Sequence, residues 1–263
     1  MASQVVAVNL AVMRTLVMGI VNVTPDSFSD GNRYFTVDEA ERRARNLAAD
    51  GADVLDIGGE STRPGATPVS PDEEWRRISP VLERLAAHPA KPRKGAAVPI
   101  SVDTYHIETA VRALDLGVSI INCVKEECAS KMLALCREKN REVVIPAKSF
   151  DVLDDDLRSY PGIIIDPMIG FGTTREQDLA LLRSVGSLAR SSRVLVGASR
   201  KRIVKALTGE KIAGKDIGGN LAIAIYAALQ GAYMVRVHDV KETVQALKVM
   251  EILQGRGTME QIS

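Results

Sequence analysis

Aromatic residues make up only 4% of this 263-residue chain, and there is a single Trp. Proteins that bind nucleic acid by stacking bases need aromatic platforms, so this composition argues against that class. An excess of one charge is also missing: 34 basic and 33 acidic side chains leave a net charge of +1. Such a balance argues against a sequence-independent nucleic-acid binder, which normally needs a basic face to neutralise the phosphate backbone. No apolar run approaches the roughly 18 residues that a membrane span requires. The N-terminal VVAVNLAVM is apolar, but Arg14 interrupts it and no basic segment precedes it, so it does not read as a secretion signal. Cysteine is sparse. Cys123, Cys128 and Cys136 are spaced C-x4-C-x7-C, which matches no zinc motif, and an odd count suits a reducing compartment. The expectation is a cytoplasmic protein with buried thiols, no nucleic-acid partner and no membrane contact.

What the chain does contain is a regular alternation. Short β-branched apolar runs at 17–23, 54–57, 98–102, 119–122, 143–146, 163–166, 194–197 and 234–237 predict eight strands. Apolar spacing at i, i+3 and i+4 predicts helices at 37–49, 73–87, 107–116, 130–139, 176–188 and 220–229, with a last one around 244–253. Continuous apolar strands separated by helices imply a parallel sheet covered by helices. DGADVLDIG, LGVSIINC and QGAYMVRV each place Gly between a helix and a strand, where a left-handed residue lets the chain turn back into the sheet. The segment HPAKPRKGAA (88–97) reads as an exposed loop before the third strand rather than as a linker. Eight βα units without a linker predict one closed (β/α)8 barrel, a TIM barrel, over 16–255. An extension or strand (1–15) would precede it and a tail (256–263) follow it.

An α/β barrel builds its active site at the C-terminal ends of its strands. The predicted strand ends carry Asn22, Asp56, Asp103, Asn122 and Asp166. The seventh strand leads to Ser199 and Lys201, and the eighth carries Arg236 and His238. Any one Asp or Asn there reads simply as a helix cap. Polar groups converging from seven strands need a polar ligand to satisfy them. Carboxylates and amides suit the donor-rich edge of an aminated heterocycle. Arg236, His238, Lys201 and the loop residue Arg63 supply cations for a pyrophosphate.

Two longer stretches narrow the class. NVTPDSFSDG (22–31) and DIGGESTRPGA (56–66) resemble the first and second signatures of dihydropteroate synthases, and SVDT, IIN, DPMIGFG, GASRK and RVHD follow in that family's order. The resemblance covers most of the chain. It implies a pterin pocket made by Asp103, Asn122, Asp166 and Lys201, with Asp56 supporting its floor. It implies that Thr62, Arg236 and His238 hold the pyrophosphate, and that Asn22 approaches a Mg²⁺ ion bound with it. Arg63, Pro64, Phe171, Ser199 and Lys201 would surround the amine, p-aminobenzoate in this family. Lys201, Arg236, His238, Asp103 and Asp166 would be the catalytic set. The implied activity is a transferase of folate biosynthesis, acting on small molecules as a homodimer. The loops at 24–35 and 58–71 would be covers that close on the substrates.

The chain departs from the family pattern at four places. Cys123 and VKEE follow IIN where the family has Asp and a small-residue turn, and Thr173 stands where it has Lys. The fifth strand ends in Ile145–Pro146–Ala147–Lys148 rather than a Met-His-Met type segment. Only about 15 residues then lead to Asp166, so DVLDDDLRSY (151–160) leaves room for a helix of about two turns, a shortened fifth βα unit. These changes spare the pterin contacts and alter one wall. A synthase with a trimmed unit, a relative using a different amine or pterin, a pterin-dependent methyltransferase and a non-catalytic pterin-binding barrel all remain open. SRK, RVHD and TRPG weigh against the methyltransferase, which has neither a pyrophosphate nor an amine to bind.

Overall fold

The computed structural model describes residues 14–24, 37–61, 67–92, 95–147, 159–212 and 214–256. In chain order the elements are β1 (Leu16–Asn22), α1 (Val37–Ala49), β2 (Val54–Gly58), α2 (Pro71–Ala87), β3 (Ile100–Asp103), α3 (Ile107–Asp115), β4 (Ile120–Asn122) and α4 (Glu126–Glu138). There follow β5 (Glu142–Pro146), β6 (Ile163–Asp166), α5 (Arg175–Leu188), β7 (Leu195–Val196), α6 (Arg202–Thr208), α7 (Ile217–Leu229), β8 (Met234–Val237) and α8 (Val240–Leu253). All eight strands are parallel, in the order β6-β5-β4-β3-β2-β1-β8-β7. An isolated parallel bridge, Ile165 to Val194, joins the two end strands. The fold is the expected TIM barrel.

Local chemistry sets the element ends. Ser70 caps α2, its side chain accepting from Glu73 N, and Pro71 takes the first turn, where a missing N–H costs nothing. Thr174 and Gln177 form a reciprocal capping box at the start of α5. Gly51, Gly117 and Gly231, the three glycines placed between helix and strand, have φ of 101°, 90° and 86°. The structure also extends the sequence reading. Helix α4 begins at Glu126, four residues before its apolar periodicity, and the short helix α6 lies in a stretch that was not expected to be helical.

Successive side chains of a strand point to opposite faces, so residues two apart share a face. Met18, Val54, Ile120, Val144, Ile164, Leu195 and Met234 form one buried cluster, an apolar layer across the barrel interior. Two residues further along their strands stand Asp56, Asn122, Asp166 and Arg236. The polar layer therefore rests directly on an apolar one. A larger cluster, including Val21, Leu47, Leu55, Ile78, Ile121 and Ile165, packs helices onto the barrel's outside.

Below the apolar layer, Thr15 Oγ1 donates to Ala232 O at 2.8 Å and Asp53 accepts from Val17 N at 2.8 Å. Arg14 closes on Asp53. Residues 14 and 15 thus belong to the barrel's lower end, while residues 1–13 of the expected extension and 257–263 of the expected tail lie outside the described residues. Residues 148–158, most of the trimmed fifth connection, also lie outside them. Its last part is pinned: Tyr160 Oη donates to Arg141 O at 2.6 Å and Cys136 O at 3.2 Å. Cys123 and Cys136 are buried and Cys128 partly so, all as free thiols. Burial pushes the Cys123 thiol up to about 11 and Cys136 to about 12, which keeps both unreactive at neutral pH.

Candidate active site

The floor is built from β2, β3, β4 and β8. Arg236 donates through Nε to Asp56 Oδ2 and through Nη2 to Asp103 Oδ2, both at 2.6 Å. Asn122 Nδ2 donates to the same Asp56 oxygen at 3.1 Å. Asp56 is fully buried, and Asp103 and Asn122 nearly so. Each of these side chains keeps one acceptor without a partner: Asp56 Oδ1, Asp103 Oδ1 and Asn122 Oδ1. Unmatched buried acceptors are costly, and a ligand bringing N–H donors would satisfy them. Arg236 lies across this floor, deeper than the pyrophosphate role expected for it.

The opposite side comes from β6 and β7. Asp166, at the end of β6, accepts from Met168 N at 2.7 Å and holds Met168 at a φ of 64°. Lys201 Nζ donates to Ile169 O at 2.6 Å and stands 4.1 Å from the Phe171 ring centre. The Lys201 chain lies flat against Gly170, where an added Cβ would stand 2.8 Å from Lys201 Cδ. Ser199 Oγ is 3.1 Å from His238 Nδ1, and Arg43 Nη2 fixes the His238 carbonyl at 2.6 Å. Asn22 ends β1, half-buried, with its Cα in register with Gly58. Thr62, Arg63 and Pro64 lie outside the described residues, as do most residues of the expected cover loops.

Burial dominates the electrostatics. It pushes Asp103 up to about 7, Arg236 opposing and Asp56 adding to the rise. It raises Asp166 against the pull of Lys201. It brings Lys201 down to about 8, although Asp166 favours its charge. Arg236 also suffers from burial, but Asp56 and Asp103 outweigh that and hold its pKa above the ordinary arginine value. Asp103 and Lys201 poised near neutrality, with Asp166 raised beside Lys201, are what a reaction that moves charge needs.

Sequence reasoning singled out neither Glu60 nor the residues around it. Tyr105 Oη donates to Glu60 Oε1 at 2.7 Å, and His106 Nε2 lies 3.5 Å from Glu60 Oε2. Thr104 Oγ1 donates to the buried Glu74 at 2.6 Å and accepts from His106 N at 3.0 Å. Burial raises the Glu74 carboxyl above its usual range. The adjacency of Tyr105 and His106 to the Asp103 motif was the available signal. Thr173, the departure after GFG, has a structural use: with Gly170 N it donates to Asp178 and ties the turn after β6 to α5.

Comparison with known proteins accords with this geometry. The family described as pterin binding enzyme matches residues 18–159 and 156–238. A dihydropteroate synthase from Bacillus subtilis is 38% identical over 268 residues, covering 93% of this chain and 90% of its own. The Xanthomonas albilineans dihydropteroate synthase solved with 4-aminobenzoic acid superposes with a TM-score of 0.80 at 38% identity, covering 92% of this chain and 94% of that one. The same enzyme in complex with 7,8-dihydropteroate gives a TM-score of 0.76 at 36% identity, over 93% and 95% of the two chains. A barrel floored by unmatched acceptors, edged by half-buried cations and related to these enzymes across nearly its whole length belongs to the pterin-binding enzymes and, among them, to the dihydropteroate synthases, transferases of folate biosynthesis.

Proposed function

We propose that this chain condenses 6-hydroxymethyl-7,8-dihydropterin pyrophosphate with p-aminobenzoate, giving 7,8-dihydropteroate and pyrophosphate. The observation that carries this reading is the trio of unmatched acceptors on Asp56, Asp103 and Asn122, flanked by Arg236 and Lys201. A 2-amino pteridine edge presents N–H donors that such a trio accepts. The bond from the pterin methylene carbon to pyrophosphate breaks, its electron pair leaves with the pyrophosphate, and the amine lone pair forms the new C–N bond. The amine then loses a proton. Asp103 and Asp166 favour the positive charge that spreads into the ring, while His238 and the buried charge of Arg236 favour the departing anion. Phe171, Ser199 and Lys201 form the amine's side of the cavity, the role also assigned by sequence to Arg63 and Pro64. No side chain has to act as a nucleophile.

A Mg²⁺ ion fits this donor set. Among the described residues no group of three or more His, Cys, Asp or Glu gathers to cage a metal, and Asn22 offers one neutral amide oxygen at the rim. Magnesium keeps most of its waters and binds phosphate oxygens, so one protein oxygen suffices. Bound there, it would supply charge neutralisation for the leaving pyrophosphate.

Pyrophosphate release on mixing the two substrates tests the reading, and a chelator should slow it. Release should depend on pH as a bell. The acid limb tracks ionisation of Asp103 near 7, and the alkaline limb tracks loss of the Lys201 proton near 8. In Lys201→Arg the alkaline limb should move out of range. Pterin binding without release of pyrophosphate would leave only a binding barrel. Methyl transfer from a methylated folate would favour the methyltransferase reading instead.

We also propose a homodimer in the cytoplasm. Among the described residues no helix is long and apolar enough to cross a membrane. The packed helices α7 and α8 expose Tyr226 and Leu229, and Val249 and Leu253, the last 82% accessible. A monomeric mass by light scattering would rule the dimer out.

A further inference from the structure

We infer that Glu60 is a positioning residue, a clamp that joins the chain leaving β2, the chain approaching α2 and the turn after β3. Glu60 Oε1 accepts from Tyr105 Oη at 2.7 Å, and Glu60 Oε2 accepts from Val69 N at 3.4 Å while facing His106 Nε2 at 3.5 Å. One carboxylate therefore ties its own segment to two others. Its side chain is only 8% exposed, so these contacts form where water competes poorly.

The surroundings fix the clamp from every side. Lys125 Nζ sits 3.3 Å from the Tyr105 ring centre, and a cation on the ring face draws electron density from the hydroxyl and makes it a better donor to Glu60. Lys125 comes from the VKEE stretch in which this chain departs from its relatives. His106 is held by Thr104 Oγ1 on its backbone N–H, and Thr104 is held in turn by Glu74. On the other side, Arg77 Nη1 donates to Gly59 O at 3.0 Å, and Gly59 lies so close to α2 that an added Cβ would stand 2.8 Å from Ile78 Cγ2. The strand end carrying Asp103 and the chain on both sides of residues 62–66 thus share one anchor. Arg63 and Pro64, assigned to the amine, fall within that span, with Thr62, assigned to the pyrophosphate. The pterin keeps its grip on Asp56, Asn122 and Asp166, which the clamp does not touch, so the clamp governs binding of the amine more than binding of the pterin, a consequence that rests on the proposed reaction.

The test compares the full-length protein with Glu60→Ala, Glu60→Gln and Tyr105→Phe by hydrogen–deuterium exchange and steady-state kinetics. Amide exchange in the peptide spanning residues 59–70 should quicken by about tenfold in Glu60→Ala and less in Tyr105→Phe, as expected for loss of one or two part-buried hydrogen bonds, with the other strands unchanged. The KM for p-aminobenzoate should rise by a similar factor while kcat and the KM for the pterin substrate change less than about twofold. Glu60→Gln keeps one acceptor oxygen and should recover part of the loss. Unchanged local exchange in Glu60→Ala and Tyr105→Phe, or faster exchange throughout the barrel, would overturn the clamp. Equal rises in both KM values would overturn its link to the amine. If the unaltered protein released no pyrophosphate yet the variants still loosened this peptide, the clamp would stand and the proposed reaction would fall.

Discussion

Lys201→Ala should lower kcat/KM by about a thousandfold while the protein melts within a few degrees of its parent. The ammonium stands at the meeting point of the site, donating to Ile169 O at 2.6 Å and 4.1 Å from the Phe171 ring centre, with Asp166 favouring its charge. Truncation leaves Asp166 without that cation. Burial already raises Asp166, so it takes up a proton instead of remaining as an unpaired charge, and the fold survives. The reaction does not survive as easily, because a neutral Asp166 no longer supports positive charge on the pterin. Pyrophosphate release and a thermal melt on the same sample check both halves. A loss of tenfold or less would remove Lys201 from the reacting groups.

Arg236→Ala should cost both activity and stability, the latter by about 3–5 kcal/mol at neutral pH, the usual consequence of leaving buried charge uncompensated. Arg236 holds Asp56 and Asp103 at 2.6 Å each, beneath the site and away from solvent. Without it, Asp103, which burial already raises, loses the charge that opposes the rise and titrates further above its unfolded value of about 4. A carboxyl raised in the folded state makes that state bind more protons than the unfolded one, so stability falls as pH rises through the interval between the two values. The variant should therefore lose more stability relative to the parent at about pH 8 than at about pH 5. Denaturant unfolding at both conditions measures the difference. A loss independent of pH would mean that Asp103 does not carry the cost.

The architecture was largely legible in the sequence because it rests on repeated, local signals. Runs such as IIID at 163–166 and MVRV at 234–237 begin and end where the strands do, since β-branched residues fill a buried parallel sheet. The start of β3 was less legible. Val98 is apolar, but its N–H goes to Ala90 O, and the strand ladder begins only at Ile100. Helix α6 escaped because its seven residues are too few to establish a period. In the site, the strand-end positions of Asp56, Asp103, Asn122 and Asp166 followed from the barrel rule. The placement of Arg236 on the floor did not, because it depends on which neighbour wins a side chain that can reach both floor and rim. The Glu60 clamp was hidden for a similar reason: its partners lie 45 residues away at Tyr105 and 9 away at Val69, a pairing no periodicity encodes.

One seam of the barrel has a mechanical consequence. Strands β6 and β7 share a single backbone bridge, Ile165 to Val194, whereas β1 and β2 pair over five positions. Side chains stitch the seam at its two ends: Arg193 donates to Ile163 O at 3.3 Å and Pro161 O at 2.6 Å below, and Lys201 reaches Ile169 O at 2.6 Å above. Breathing of the cylinder should concentrate along that line, where few bonds must break to part the staves. Asp166 stands on one stave and Lys201 follows the other, so a molecule gripped by both acts as a hoop. The proposed substrate, held by both, would tighten the vessel around it, and the empty barrel would be its loosest form.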